Sequence, residues 1–153
     1  MIKKILLLSV FILFINGCGY KPIYSTKDQN FSLENINYQG EIKVNNFINK
    51  ILKNYSNNSN AKNTYEITIN SSLKKNIITK NKKGNAIRFS LDLSIDLIVF
   101  ENSEQKRKIK FLEKSSYNNK DNKFDLKIYE NNLIENMSEK IISDMLFFFQ
   151  NIE

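Results

Sequence analysis

Between Ile87 and Val99 every odd position is apolar: Ile87, Phe89, Leu91, Leu93, Ile95, Leu97 and Val99. The even positions Arg88, Ser90, Asp92, Ser94 and Asp96 are polar. Successive side chains leave a strand on opposite sides, so a strict period of two means one buried face and one wet face. A sheet built around such a strand needs a cover on one side only, which a single layer of helices supplies.

The rest of the chain provides that layer. Phe31 to Tyr38 reads as a first strand that alternates imperfectly. From Ile42 to Tyr55, Val44, Phe47, Ile48, Ile51, Leu52 and Tyr55 fall on one helical face. Turn-forming residues follow from Asn54 to Asn63. Thr64 to Leu73 reads as a second strand, with Tyr65, Ile67 and Ile69 on its apolar side. After the strand at Ile87–Val99, a short turn over Glu101–Gln105 leads to a fourth, on which Ile109, Phe111 and Tyr117 share a face. A long helix begins near Phe124, with Leu126, Tyr129, Leu133, Met137, Ile141, Met145 and Phe148 recurring every three or four residues. The order β-α-β-β-β-α predicts an α+β two-layer sandwich, with two helices on one face of a four-stranded mixed sheet. Strands two to four are expected to form an antiparallel meander, and the first to pair parallel through a right-handed crossover. The run Leu146-Phe147-Phe148-Phe149 is apolar all round. It is either a helix end set in the core, which is the expectation, or a partner or membrane contact.

The N-terminus carries Lys3 and Lys4, an apolar run from Ile5 to Ile15, and then Asn16-Gly17-Cys18. That run is shorter than the roughly 20 residues a spanning helix needs, and it has the length of a signal-peptide core. A cysteine directly after a small residue at its end resembles a bacterial lipobox. In that class a peptidase cuts between Gly17 and Cys18, and Cys18 carries the lipid. Cys18 is the sole cysteine, so no disulfide can form within the chain. The expected division is a lipoprotein signal peptide at 1–17, a lipidated tether at 18–30 and one domain at 31–153. Gly19 follows the cysteine rather than Asp, which in lipoproteins of diderm bacteria favours the outer membrane.

The formal net charge is +7, and loss of Lys3 and Lys4 with the signal would lower it. Lys, Asn and Ile are all abundant, as an AT-rich genome dictates, so basic residues count only where they cluster. Histidine is absent. Without it, and with Cys18 taken by the lipid, the common nucleophile–base pairs and His/Cys metal sites cannot be built. Asp92 and Asp96 lie four residues apart, roughly 13 Å along a strand, too far for a retaining carboxylate pair though not by itself for an inverting one, and solvated or partner-facing strand positions are the expectation. No enzymatic activity, cofactor or metal is expected.

The opening Cys18-Gly19-Tyr20-Lys21-Pro22-Ile23-Tyr24 resembles the start of the mature chain in the LptE family of outer-membrane lipoproteins that assemble lipopolysaccharide. The element order is similar to that family's fold. So is the C-terminal half: Ser115-Ser116-Tyr117-Asn118, a short loop, then a long helix with Glu130, Glu135 and Ile141-Ile142-Ser143-Asp144-Met145-Leu146. The resemblance implies a non-enzymatic plug and assembly partner of the LptD β-barrel, held at the periplasmic face of the outer membrane, with lipopolysaccharide bound through basic residues. A different class remains open, an auxiliary periplasmic lipoprotein of an envelope lipid ABC transporter.

The densest basic cluster is Lys74, Lys75, Lys80, Lys82, Lys83 and Arg88, around turn residues Gly84 and Asn85. Lys80, Lys82, Lys83 and Arg88 are the candidate lipopolysaccharide contacts, since cations at a loop tip suit phosphates. A solvated loop in a Lys-rich chain is the other reading. A second cluster, Lys106, Arg107, Lys108 and Lys110, is expected at the opposite end of the meander, where it can simply protect an edge strand. Nucleic acid is not expected as a partner, because the aromatic residues fall mostly on buried periods rather than on a wet stacking face.

Overall fold

A computed structural model describes residues 30–102 and 104–152. The signal segment and the proposed cleavage and attachment positions Gly17 and Cys18 lie outside the described residues. In chain order the elements are β1 (Phe31–Gly40), α1 (Ile42–Leu52), β2 (Asn63–Lys80), β3 (Ala86–Glu101), β4 (Glu104–Asn118) and α2 (Lys123–Asn151). A 3-10 turn at Lys53–Tyr55 extends α1. The four strands form one sheet in the order β1-β2-β3-β4. β1 runs parallel to β2, and the other neighbours are antiparallel. This is the α+β sandwich that the alternation predicts.

β3 decides which side of the sheet is covered. Leu91, Leu93, Ile95, Leu97 and Val99 are buried in a core shared with Ile67 and Ile69 of β2, with Val44, Ile48 and Leu52 of α1, and with Ile141, Ile142 and Met145 of α2. Both helices therefore lie over the odd-numbered face of β3. The imperfect alternation of β1 has a backbone cause. Its pairing with β2 shifts between Leu33 and Ile36, so Phe31 and Leu33 face the core before the irregularity and Ile36 and Tyr38 pack against it afterwards.

The joint between β1 and α1 is pinned to the middle of β2. Gly40 has φ +89°, and a Cβ there would sit 1.9 Å from the Ser71 carbonyl oxygen. Only glycine permits that approach. The Ser71 hydroxyl donates to Asn45 Oδ1 at 2.7 Å and accepts from the Glu41 N–H at 2.9 Å. Asn45 Nδ2 in turn donates to the Gln39 carbonyl at 3.0 Å. The polar groups at this joint are thus satisfied inside the fold.

Several boundaries differ from the sequence reading. β2 runs to Lys80 rather than ending at Leu73, because its backbone stays paired with β3 where its side chains are no longer covered. The β3–β4 turn is tighter than Glu101–Gln105: Glu101 already pairs with Glu104, and Asn102 adopts φ +50°. On α2, Tyr129 is exposed, while Ile134, Ile142, Leu146 and Phe149 join the core. The run at the helix end divides: Leu146 and Phe149 are buried, and Phe147 points outward. Phe149 packs with Phe31 and Tyr65 at ring-centroid distances of 5.3 and 5.9 Å.

Candidate functional site

The β2–β3 hairpin extends beyond the buried core. From Lys74 to Lys80 every residue of β2 is exposed. The turn is held by Asn81, whose N–H donates to the Asn85 carbonyl at 2.9 Å and whose carbonyl accepts from Gly84 N–H at 2.9 Å. Its side-chain Oδ1 accepts from the Lys83 and Asn85 N–H groups at 3.0 and 2.9 Å. Gly84 takes φ +84° with open space around it. An asparagine-pinned turn of this kind leaves Lys82 and Lys83 nothing to pack on. Among the described residues neither of them, nor Lys80, has an ion-pair partner. Arg88 lies on the outer face and donates to the Ser116 hydroxyl at 2.7 Å. Lys80, Lys82, Lys83 and Arg88 thus share the hairpin's far end.

Lys75 does not belong with them. It stands on the helix-facing side, 2.5 Å from a Glu130 carboxylate oxygen on α2 and 4.3 Å from the centre of the Phe89 ring. Tyr117 donates to the same oxygen at 2.6 Å. Burial pushes the Glu130 carboxyl up, but hydrogen bonds from Lys75 and Tyr117 and the charges of Lys75 and Lys43 outweigh it and leave it below its ordinary value. The Tyr117 phenol is pushed up, first by burial and then by its bond to Glu130 and that carboxylate's charge. Lys75 therefore closes the end of the core beneath the hairpin.

The sequence reading did not foresee the exposed apolar residues of this end, and it placed one of them, Ile87, on the buried face of β3, where it is 45% exposed because the helices no longer cover that end of the strand. Ile77, Ile78, Ile87, Phe124 and Ile128 are all exposed, Phe124 to 70%. The β4–α2 loop is fixed beside the hairpin, since Asn119 N–H donates to the Ile87 carbonyl at 2.8 Å and Asn119 Nδ2 to the Ala86 carbonyl at 2.8 Å. Asn122 caps α2 through Phe124 N–H at 2.9 Å, which starts the helix at this end of the sheet. Lys120 and Lys123 are exposed here too. The available signal was the failure of alternation after Leu73, where apolar and basic residues mix with no period.

The second basic cluster lies at the opposite end, as the meander requires: Val99 pairs with Arg107 and Ile98 with Lys108, whereas Lys80 pairs with Ala86. Its host β4 is an edge strand. Asp92 and Asp96, on the outer face of β3, meet lysines of β4: Lys114 lies 3.5 Å from Asp92 and Lys110 3.1 Å from Asp96. A cross-strand ion pair engages each carboxylate; Asp92 also accepts from Asn76 Nδ2 at 2.9 Å through its other oxygen, while the oxygen facing Lys114 is buried without a hydrogen bond. Among the described residues no helix is long and apolar enough to cross a membrane.

No family model matches the chain, and no curated protein matches it in sequence. Solved structures of similar fold include three bacterial lipoproteins. A lipoprotein B from Nitrosomonas europaea aligns with TM-score 0.57 and 13% identity over 84% of this chain and 88% of that one. The rare lipoprotein B from Shewanella oneidensis aligns with TM-score 0.54 and 12% identity over 74% and 93%. A minor lipoprotein from Acinetobacter baumannii gives 0.54 and 10% over 77% and 92%. At such identities the likeness is one of fold.

Proposed function

We propose that this protein is a lipid-anchored, non-enzymatic component of lipopolysaccharide assembly at the outer membrane, of the LptE type, and that the hairpin end is its lipid-facing surface. The observation that carries the reading is the mixture at that end. Lys80, Lys82, Lys83 and Arg88 surround exposed Ile77, Ile78 and Ile87, with Phe124 and Ile128 at the start of α2. A solvated loop needs the cations but not the isoleucines. An amphiphile with phosphates on an acylated sugar presents both matching chemistries. Support also comes from the lipobox-like Asn16-Gly17-Cys18 and from the fold likeness to three proteins described as lipoproteins. In this reading Cys18 bears the lipid, and a polar sheet face held by Asp–Lys pairs faces the polar lumen of an LptD-type barrel.

Affinity capture of the full chain from native membranes tests it. A large outer-membrane β-barrel in stoichiometric amount is the expected result. An inner-membrane transporter complex in its place would overturn the barrel assignment. Lipopolysaccharide binding should weaken when Lys80, Lys82, Lys83 and Arg88 are all changed to Gln, and it should weaken with added salt, because exposed ion pairs are screened. Unchanged affinity at low salt in a variant with native circular dichroism would return those residues to a solvated loop.

A further inference from the structure

The end of the sheet opposite the hairpin carries a second recess. A cleft of about 630 Å³ lies between the start of β2, the start of β4 and the end of α2. Lys62, Lys106 and Arg107 line it, with Glu101, Tyr65 and Ile152. Arg107 reaches it because β3–β4 pairing sets it opposite Val99, in the helix-facing row. Lys106 is loosely engaged, 3.8 Å from Glu101 and from Glu104. Among the described residues Lys62 and Arg107 have no ion-pair partner. Among the described residues the lining therefore holds three cations, of which Lys106 is shared with Glu101 and Glu104, and Lys62 and Arg107 are left as the unpaired positive charges of a concave setting.

The position of the cleft gives it a partner. The N–H groups of Lys62 and Asn63 both donate to the Asn30 carbonyl, at 3.0 and 3.2 Å. The segment leading back to Cys18 thus joins the fold at the cleft's rim. Eleven residues separate Cys18 from Asn30, and the twelve steps between the two reach at most about 40 Å. We propose that this cleft binds the phosphate headgroup of an anionic phospholipid in the membrane to which the chain is tethered. The inference rests on the anchored reading above. It supplies a second, electrostatic hold beside the lipid, of the kind basic patches provide next to an acyl anchor. Lys62 and Arg107 take the phosphate oxygens, Arg107 being suited to two at once. Ile152 flanks the glycerol.

The same cations stand beside the C-terminal end of α2, whose last turn has no basic residue of its own. Cations there are favourable for the helix dipole without any ligand, so stability and binding must be read separately. The test uses the full chain in a neutral detergent, with amide chemical shifts followed by NMR. The probes are short-chain phosphatidylglycerol, short-chain phosphatidylcholine and inorganic phosphate. Phosphatidylglycerol is expected to shift the amides of Asn63 and Arg107. The double variant Lys62→Gln/Arg107→Gln should bind it on the order of tenfold more weakly, while Lys127→Gln, at an exposed position of α2 outside both sites, should bind as the parent does. Equal shifts with phosphatidylcholine, or unchanged binding by the first variant, overturn the proposal. Equal shifts with inorganic phosphate assign the cleft to free phosphate and overturn the lipid source. Loss of thermal stability in the first variant, with no headgroup binding by the parent, leaves a helix-end role and overturns it as well. None of these readings depends on acylation of Cys18, which mass spectrometry of membrane-extracted protein decides independently.

Discussion

The two halves of β2 both pair with β3, with register shifts only beyond Ile77, but live in different surroundings. In the first half Tyr65, Ile67, Ile69 and Ser71 are buried under the helices and beside β1. In the second half β1 has ended, and from Lys74 onward every side chain is exposed. Backbone pairing, with the side-chain contacts of Lys75 and Asn76 at its base, carries the strand roughly 20 Å further. Hydrogen bonds keep a strand straight, but only covered side chains hold it against unfolding, because the net worth of a ladder bond is about 1 kcal/mol while a buried Ile contributes about 1.5–3 kcal/mol. The second half is therefore an arm that can change its side chains without disturbing the fold.

The sharpest way to break this contrast is to place the same charge in each half. Ile67→Asp should abolish the cooperative thermal transition, since an unpaired carboxylate in the core costs more than about 4 kcal/mol. Ile77→Asp should cost less than about 1 kcal/mol. Comparable losses from both, followed by circular dichroism, would show that the arm is covered after all.

Gly40→Ala comes next in size. It probes the point where β1 leaves β2, and a cost of about 1–3 kcal/mol is expected from backbone strain alone, before the clash with the Ser71 carbonyl is relieved. A melting temperature within a degree of the parent's would mean that the joint is not what ends the covered half.

A smaller effect is expected at Glu130→Gln, which removes the acid holding Lys75 at the boundary between halves. The pair is partly exposed, so a loss of about 1 kcal/mol is appropriate. The sign with pH follows from the lowered carboxyl. Its stabilising contribution is present above the ordinary carboxylate value and fades as pH falls through the lower value in the folded protein. Parent and variant should therefore converge in stability in acid, and a gap that widens there would refute the assignment. The quadruple change of Lys80, Lys82, Lys83 and Arg88 to Gln should move stability least, by no more than about 0.5 kcal/mol.

The covered part of the molecule was legible in the sequence because burial writes periodicity. Leu91 to Val99 declared the core face of β3, and Val44, Ile48 and Leu52 that of α1. Where the chain meets water on both sides, no period is imposed, and the end of β2 could not be read past Leu73. Ile77, Ile87 and Phe124 lie far apart in sequence, and only the bonds from Asn119 to Ala86 and Ile87 bring the start of α2 beside the hairpin. The cleft at the other end was hidden for the same reason. Lys62 and Arg107 are 45 positions apart, and Arg107 read as edge protection until its register with Val99 placed it on the helix side. β1's irregular pairing left only a blurred alternation as its trace.

The parallel pairing of β1 with β2 also fixes how the molecule bears a load. The segment from Cys18 joins at Asn30, beside the start of β2, and the hairpin lies at the far end of the same strand. If the chain is held at the first point and gripped at the second, tension runs along the strands rather than across them. The bonds from Phe31↔Asn63 to Gly40↔Ser71 are then loaded together in shear, instead of opening one after another as a zipper would. Rupture must break the whole ladder at once. Held and gripped in that way, β1, the edge strand that follows the N-terminal segment, would couple the two points mechanically.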